Sequence, residues 1–416
     1  MLGAGGRGMY AYGPYAIEHP DEIRMTAIAE PDDERRARFA QAHGIPLERQ
    51  YRTWQEALAG DRLAQTAINC TQDRLHFDST MAVLQAGYDV LLEKPIAPIR
   101  AECVKLVRTA ESLGRVMQIC HVLRFTAFFS TLYDIIHSGR LGRIITVDHR
   151  ENVSYWHMSH SFVRGAWRNE GLSSPMILAK CCHDLDILAW IMGNPIESLN
   201  SYGALTHYRA ANAPAGAPPR CTDGCPAETD CPWYAPRLYG ALEGVPPRSE
   251  WIVTALGGGD TAQERWRRLQ TSPYGRCVYH SDNDVVDHQV ISMLFPGDVT
   301  VTFTMHGHSD TEGRTMRWDG TRATLYGDFS DGRPHEFRIH DHGTNNIEVI
   351  QPQAGASGHG GGDEGLMSAF VRTLRGESVP HQTSARASLE SHLMAFAAEE
   401  SRQSRQAMDM GHYRAE

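Results

Sequence analysis

The sequence predicts an α/β protein: a doubly wound parallel sheet followed by a second α/β domain with a large, mostly antiparallel sheet. Three observations carry this. Short apolar runs alternate with amphipathic helical stretches over roughly the first 120 residues, the pattern of a parallel sheet with right-handed crossovers. Gly3-Ala4-Gly5-Gly6-Arg7-Gly8 spells G-x-G-x-x-G, and Glu30 follows 22 positions after the last glycine. From about residue 276 to 330 the chain instead alternates apolar and polar residues, as in 290–295 and 299–305, which reads as antiparallel strands.

In order, the glycine turn comes first. Its first glycine makes the tight turn, the second lets the backbone approach a pyrophosphate, and the third lets the next helix pack close to the sheet. The strand expected before it is nearly absent, since only Met1-Leu2 precede Gly3. Either a few residues lie upstream, or the first strand is very short, and a two-residue central strand would be poorly held. Residues 24–29 read as a short buried strand with Glu30 at its end. A carboxylate there accepts both ribose hydroxyls of NAD and repels a 2′-phosphate, although Arg35 or Arg36 leaves NADP open. Helices are expected at 32–43, 76–86 and 100–113, each stopped by a glycine, with strands at 64–69, 88–92 and 116–120. Then the pattern changes: a helix at 128–138, a strand at 143–153, and a helix at 173–192 with Ser174 as its cap and Pro175 in its first turn. Residues 209–236 form an irregular insertion rich in Pro, Gly, Ala and Cys. Residues 354–362 are glycine-rich, and two helices close the chain.

The 416 residues suit two or three domains, divided as 1–122 for a dinucleotide and 123–416 for substrate. Contents of 41% hydrophobic and 22% charged residues are those of a soluble globular chain. A net charge of −10 argues against a nucleic-acid partner. No membrane span and no secretion leader are expected. Nine cysteines without a leader suit a reducing, cytoplasmic setting.

Ligands of parallel sheets bind at the carboxyl ends of the strands. Those ends carry Gly3, Gly5, Gly6, Arg7 and Gly8, then Glu30, Thr71, Glu93-Lys94-Pro95 and His121, the candidate cofactor-binding residues. Lys94 would reach both the nicotinamide and a substrate hydroxyl, where an ammonium lowers the hydroxyl pKa and favours the alkoxide. A Glu–Lys pair before a turn proline also reads as ordinary surface. Lys180, His183 and Asp184, at i, i+3 and i+4, would share one helix face and complete the candidate catalytic set. His183 titrates in the useful range for taking a hydroxyl proton. Asp184 or Asp186 would orient it, or simply support the helix. Tyr155, His157, Arg164, Trp167 and Arg168 follow in one aromatic and basic run, suited to a sugar; the same run also reads as a buried cluster beneath an interdomain loop. His359 and Asp363 flank a helix start, where Asp363 reads as an N-cap.

Together the G-x-G-x-x-G, the E-K-P at 93–95, the helix with His183 and the C-terminal sheet resemble the Gfo/Idh/MocA oxidoreductases, the family of glucose–fructose oxidoreductase and inositol 2-dehydrogenase. The resemblance runs over most of the chain. It implies a Rossmann domain, then an α/β domain whose open sheet serves in oligomer contacts (a homo-dimer or homo-tetramer), NAD or NADP as cofactor, and oxidation or reduction of a sugar or cyclitol carbon. Lys94 then matches the family lysine and His183 its catalytic histidine. One departure stands out: Ala179 occupies the place of the aspartate four residues before the histidine. Lys180, or a carboxylate from elsewhere, would have to take over its role.

Cys221, Cys225 and Cys231 lie close together in the insertion. With Cys277 as fourth ligand, or His207 in its stead, they suggest a structural zinc site; loose thiols or a disulfide are the other readings. Function follows as an NAD-dependent dehydrogenase of a secondary hydroxyl on a sugar, sugar derivative or cyclitol. Two rivals remain: glycoside cleavage through transient oxidation and elimination, and a non-catalytic sugar or NAD sensor.

Overall fold

In the computed structural model, residues 1–193, 195–353, 355 and 358–415 are described. The first domain holds five short parallel strands: β1 (Ile28–Ala29), β2 (Gln50–Tyr51), β3 (Thr66–Asn69), β4 (Asp89–Leu92) and β5 (Met117–Ile119). β1 pairs with β2, and β3, β4 and β5 pair in that order. Leu2 bridges Ala29 on one side and Asn69 on the other, joining the two sheets. The strand expected at 24–29 narrows to its last two residues. Met1 and Leu2 bond to Ala27, Ala29, Ile68 and Cys70, and of residues 24–29 only Ile28 and Ala29 pair with β2 among the described residues. A cavity of about 570 Å³ is lined by 22–29, 63–68 and Leu374 among others.

Alternation along these strands makes the domain doubly wound. Ile28, Ile68 and Leu91 point to a core shared with Tyr12, Tyr15, Phe39 and Ala40. Ala29, Ala67, Val90 and Leu92 point to the opposite one, with Val83, Leu84, Leu106 and Val107. The helix Asp33–His43 carries the expected signals: Asp32 accepts from the Arg35 N–H, and Gly44 ends it at φ +62°. Residues far down the chain finish both faces. The helix Gly362–Leu374 adds Leu366, Met367, Phe370 and Val371 to the first core, and Ala385–Ser404 packs on the second. The division at residue 122 is therefore crossed by the end of the chain.

The second domain is built on β6 (Ile144–Ser154), β7 (Ser198–Ala204), β8 (His288–Phe295), β9 (Val299–Ser309), β10 (Gly313–Gly320), β11 (Ala323–Ser330), β12 (Glu336–Asp341), β13 (Ile347–Ile350) and β14 (Met408–Asp409). Among the described residues these nine make one sheet, ordered β13-β12-β11-β10-β6-β9-β8-β7-β14. β6 and β9 run parallel and the other pairs antiparallel. The insertion runs on past the expected 209–236 to about residue 275 and forms a small core of its own around Tyr234, Leu238, Tyr239, Ile252 and Leu269, with Trp156 buried in it. No helix among the described residues is long and apolar enough to cross a membrane.

The helix expected over 173–192 is two pieces, Met176–Ala179 and Cys182–Met192. Ser174 Oγ caps nothing, and Pro175 holds the N-cap position instead of the first turn. The break falls where the Ala179 carbonyl is taken by the Lys94 ammonium, at 2.8 Å, instead of a backbone N–H one turn on.

Candidate active site

The glycine turn is fixed by contacts that only glycine permits. Gly3 has φ +83°, and a Cβ on it would stand 2.6 Å from the Cys70 carbonyl oxygen. A Cβ on Gly8 would lie 2.3 Å from the Gly3 oxygen. A Cβ on Gly5 or Gly6 would meet nothing within 4 Å among the described residues, so the turn is open where a pyrophosphate would lie, and these residues fit a dinucleotide. Glu30, buried at the end of β1, accepts from the Ala4 N–H at 2.7 Å and the Asp32 N–H at 3.0 Å. Arg35 lies on the same carboxylate at 2.8 Å, and Arg36 binds the Glu30 carbonyl at 2.7 Å. Thr71 donates to Asn69 just past β3.

Arg7 does not hang free toward a phosphate. Its guanidinium binds Glu93 at 2.6 Å, Asp363 at 2.7 Å and the Tyr12 hydroxyl at 2.6 Å. Burial raises the Glu93 pKa, but Arg7 and Lys94 outweigh it and hold the group below the ordinary value. Asp363 sits inside the first turn of its helix, whose N-cap is Gly361; the cap expected of it is replaced by the ion pair with Arg7 and a contact to His359 at 3.2 Å. Of the glycine-rich stretch, residues 354, 356 and 357 lie outside the described residues.

Past β4, the Lys94–Pro95 peptide is cis, and Lys94 reaches across to Ala179. His183 comes to the same place from the second domain. Its ring lies 5.6 Å edge-on from His121 and 6.4 Å from His359, centroid to centroid. Burial, then Lys94, push its pKa well below the ordinary imidazole value, so it is neutral and able to accept a proton. Its Nδ1 has no partner among the described residues. His121 is fully buried, also held neutral by burial and Arg124, and lies 3.8 Å from Asp186.

The break in the helix separates the three residues expected on one face. Asp184 turns into the sheet, where His149 and Arg314 bind it at 2.9 and 2.8 Å, so it is structural and does not orient His183. Asp186 is likewise committed, to Arg124 at 2.6 Å. Lys180 points to Glu312 at 3.0 Å and Glu151 at 3.3 Å. Burial alone would lower its pKa, but the two carboxylates raise it far above the ordinary value. Lys180 therefore stays protonated and cannot act as a base. Glu312 is the ionised partner: Lys180 and His157 overcome its burial and hold it well below the ordinary value. Glu151 is pushed up to about 8 by burial, against Arg314 and Lys180.

The expected substrate run divides. His157 Nδ1 stands 2.8 Å from Glu312 Oε1, beside Lys180, while half-buried Tyr155 packs on the insertion core. Trp167 binds Asp73 of the first domain at 3.2 Å. Arg168 is an outer ion pair with Asp282. Arg164 is no substrate ligand: it is fully buried, giving its protons to the Arg276 and Trp233 carbonyls, 3.7 Å from Cys221 Sγ.

The zinc expectation does not fit. Cys221, Cys225, Cys231 and Cys277 do line one small cavity of about 10 Å³. But no group of three or more His, Cys, Asp or Glu among the described residues is placed to hold a metal ion. The Arg164 cation stands among the sulfurs, and burial raises the Cys231 and Cys277 thiols, which opposes the thiolates zinc needs. His207 is engaged by the Tyr279 hydroxyl at 3.2 Å.

A glycine turn that closes on a carboxylate, joined through Glu93-Lys94 to a histidine of a second domain, defines a two-domain oxidoreductase with a dinucleotide-binding Rossmann domain. Comparison with known proteins agrees. Residues 1–121 match the oxidoreductase family with NAD-binding Rossmann fold, and residues 134–410 match its C-terminal alpha/beta domain. The chain belongs to the Gfo/Idh/MocA oxidoreductase family. Inositol 2-dehydrogenase of Leifsonia xyli subsp. xyli is 28% identical over 181 residues, 42% of this chain and 48% of that protein, so the match spans about half of the relative. Levoglucosan dehydrogenase, solved with NADH and levoglucosan, superimposes with TM-score 0.71 at 15% identity, covering 98% of this chain and 97% of the other. An NAD-binding oxidoreductase from Klebsiella pneumoniae gives the same TM-score, identity and coverage. At these identities the two structures share the fold.

Proposed function

We propose that the protein is an NAD-dependent dehydrogenase of a secondary hydroxyl on a neutral sugar, sugar derivative or cyclitol. The observation that carries this is a neutral, buried His183 beside Lys94, at the point where the second domain meets the carboxyl ends of the parallel strands. The glycine turn would hold the pyrophosphate and Glu30 the adenosine ribose. Bound nicotinamide supplies the hydride acceptor. His183 takes the hydroxyl proton, and the Lys94 ammonium stabilises the negative charge that develops on oxygen as the carbonyl forms. Glu30 favours NAD, and Arg35 beside it keeps NADP as the weaker alternative.

The inositol and levoglucosan dehydrogenases among the relatives support a polyol substrate. A second reading, glycoside cleavage by transient oxidation, is favoured by one observation: His157, bound to Glu312 beside Lys180, is a further histidine near the helix break that receives Lys94. NADH absorbance with NAD and a panel of sugars, inositols and glycosides, run beside product analysis, separates them. NADH with a keto product supports the dehydrogenase; a cleaved glycoside without net NADH replaces it with the second reading. NAD binding with no product from any of them leaves a sensor.

A further inference from the structure

We infer that the cysteine-rich insertion supplies a second ring-binding subsite, in which Trp251 stacks a sugar ring adjoining the one that reacts while His157, oriented through its Nδ1 by Glu312, binds a ring hydroxyl with its other nitrogen. This rests on the reading of the site as a sugar or cyclitol dehydrogenase and narrows the substrate to a glycoside of at least two rings. Trp251 lies on the helix Glu250–Ala255 and is 42% exposed. Its neighbours Ile252 and Val253 are buried in the insertion core, which fixes the helix in place. Its indole is edge-on to His157 at 5.1 Å and to His160 at 4.7 Å, and tilted on Trp156 at 5.6 Å.

From there two polar contacts and one step along the backbone lead to the carbonyl that holds the Lys94 ammonium. His157 Nδ1 meets Glu312 Oε1 at 2.8 Å, Glu312 meets Lys180 at 3.0 Å, and Lys180 follows Ala179, whose carbonyl holds Lys94. Glu312 is fixed further by the Ser154 N–H and hydroxyl, at 2.8 and 2.9 Å. The side chains of His157, Glu312 and Lys180 remain 18%, 16% and 15% exposed. An open indole beside a preset, charge-balanced row of polar groups matches a pyranose, which has an apolar face and a rim of hydroxyls. A phosphate or carboxylate would find its cation already paired.

The test uses the full-length, NAD-loaded protein and compares D-glucose, D-galactose and myo-inositol with cellobiose, maltose and lactose, by NADH formation, product analysis and tryptophan emission. At least one disaccharide is expected to have a KM lower than its monosaccharide by about tenfold, the scale of one stacked aromatic pair, and to change the emission. Trp251→Ala erases that advantage and the emission change; Trp251→Phe keeps most of the advantage. If monosaccharides serve as well as every disaccharide, or Trp251→Ala keeps the advantage, the subsite is overturned while the dehydrogenase stands. If no probe binds or turns over, both are overturned.

Discussion

Lys94 of the first domain donates from Nζ to the main-chain carbonyl of Ala179 in the second, at 2.8 Å. Position 179 is alanine, and its main-chain carbonyl positions the ammonium. A carbonyl orients an ammonium without cancelling its charge, as a carboxylate would. The Lys94 charge, which also acts on neighbouring Glu93, is thus left to help keep His183 neutral.

Lys94→Met and His183→Ala are each expected to lower kcat by about 10²–10⁴-fold while NAD still binds, as followed by steady-state kinetics and a cofactor titration. Normal turnover in either variant removes that residue from the mechanism.

The acid limb of kcat/KM should lie below the ordinary imidazole value of 6.5. Catalysis needs neutral His183, and its depressed pKa keeps it neutral to lower pH. In Lys94→Met the residual activity should show that limb moved upward, because a repelling cation is gone. A pH–rate profile with the limb unmoved would mean that Lys94 does not act on His183.

Glu30→Ala should weaken NAD by about 1.5–3 kcal/mol, the worth of hydrogen bonds to a charged group, and bring NADP closer to it, since Arg35 is then released. The ratio of KM values for the two cofactors reads this out.

Gly8→Ala and Gly5→Ala should fail differently. The first drives a Cβ against the Gly3 oxygen and lowers the melting temperature without cofactor. The second has open space, folds normally and loses NAD affinity. Thermal melts with and without NAD distinguish them.

Stability should decline on acidification below about pH 6.5. His392 is buried, with one ring nitrogen accepting from the Ile96 N–H and the other facing the Ser388 carbonyl. Burial, then His121, lowers its pKa to about 3. Between 6.5 and 3 the unfolded chain binds a proton that the folded chain refuses. The contribution is therefore complete above 6.5 and lost as pH falls toward 3. His392→Gln should flatten that part of a melting-temperature profile.

The architecture was legible because burial follows period. The alternating strands, the Asp32 cap, the Gly44 stop and the change to antiparallel pairing all follow from local sequence. So did the meeting of Lys94 with the His183 helix, through the E-K-P and the family resemblance. The break at Lys180–Cys181 was not legible. It depends on a lysine 85 positions earlier, which no local pattern reports. Glu312, in the turn before β10, was missed for the same reason. The surrounding network left one signal: His149, which binds Asp184, and Glu151, which binds Lys180 and Arg314, occupy the buried side of β6 between Val147 and Val153, where an apolar residue is expected. Arg164 and the four cysteines misled because spacing says nothing of the cation among them.

The ion pair of Arg7 with Asp363, together with the helix that follows it, ties the start of the chain to its late portion. A ribosome must release most of the polypeptide before the dinucleotide turn is braced. Until then Ile28, Ile68 and Leu91 lack the cover of Leu366, Met367, Phe370 and Val371, a loss of about 1.5–3 kcal/mol for each side chain left bare, set against a usual folding margin of roughly 5–15 kcal/mol. The brace on the dinucleotide turn is thereby completed only late in synthesis.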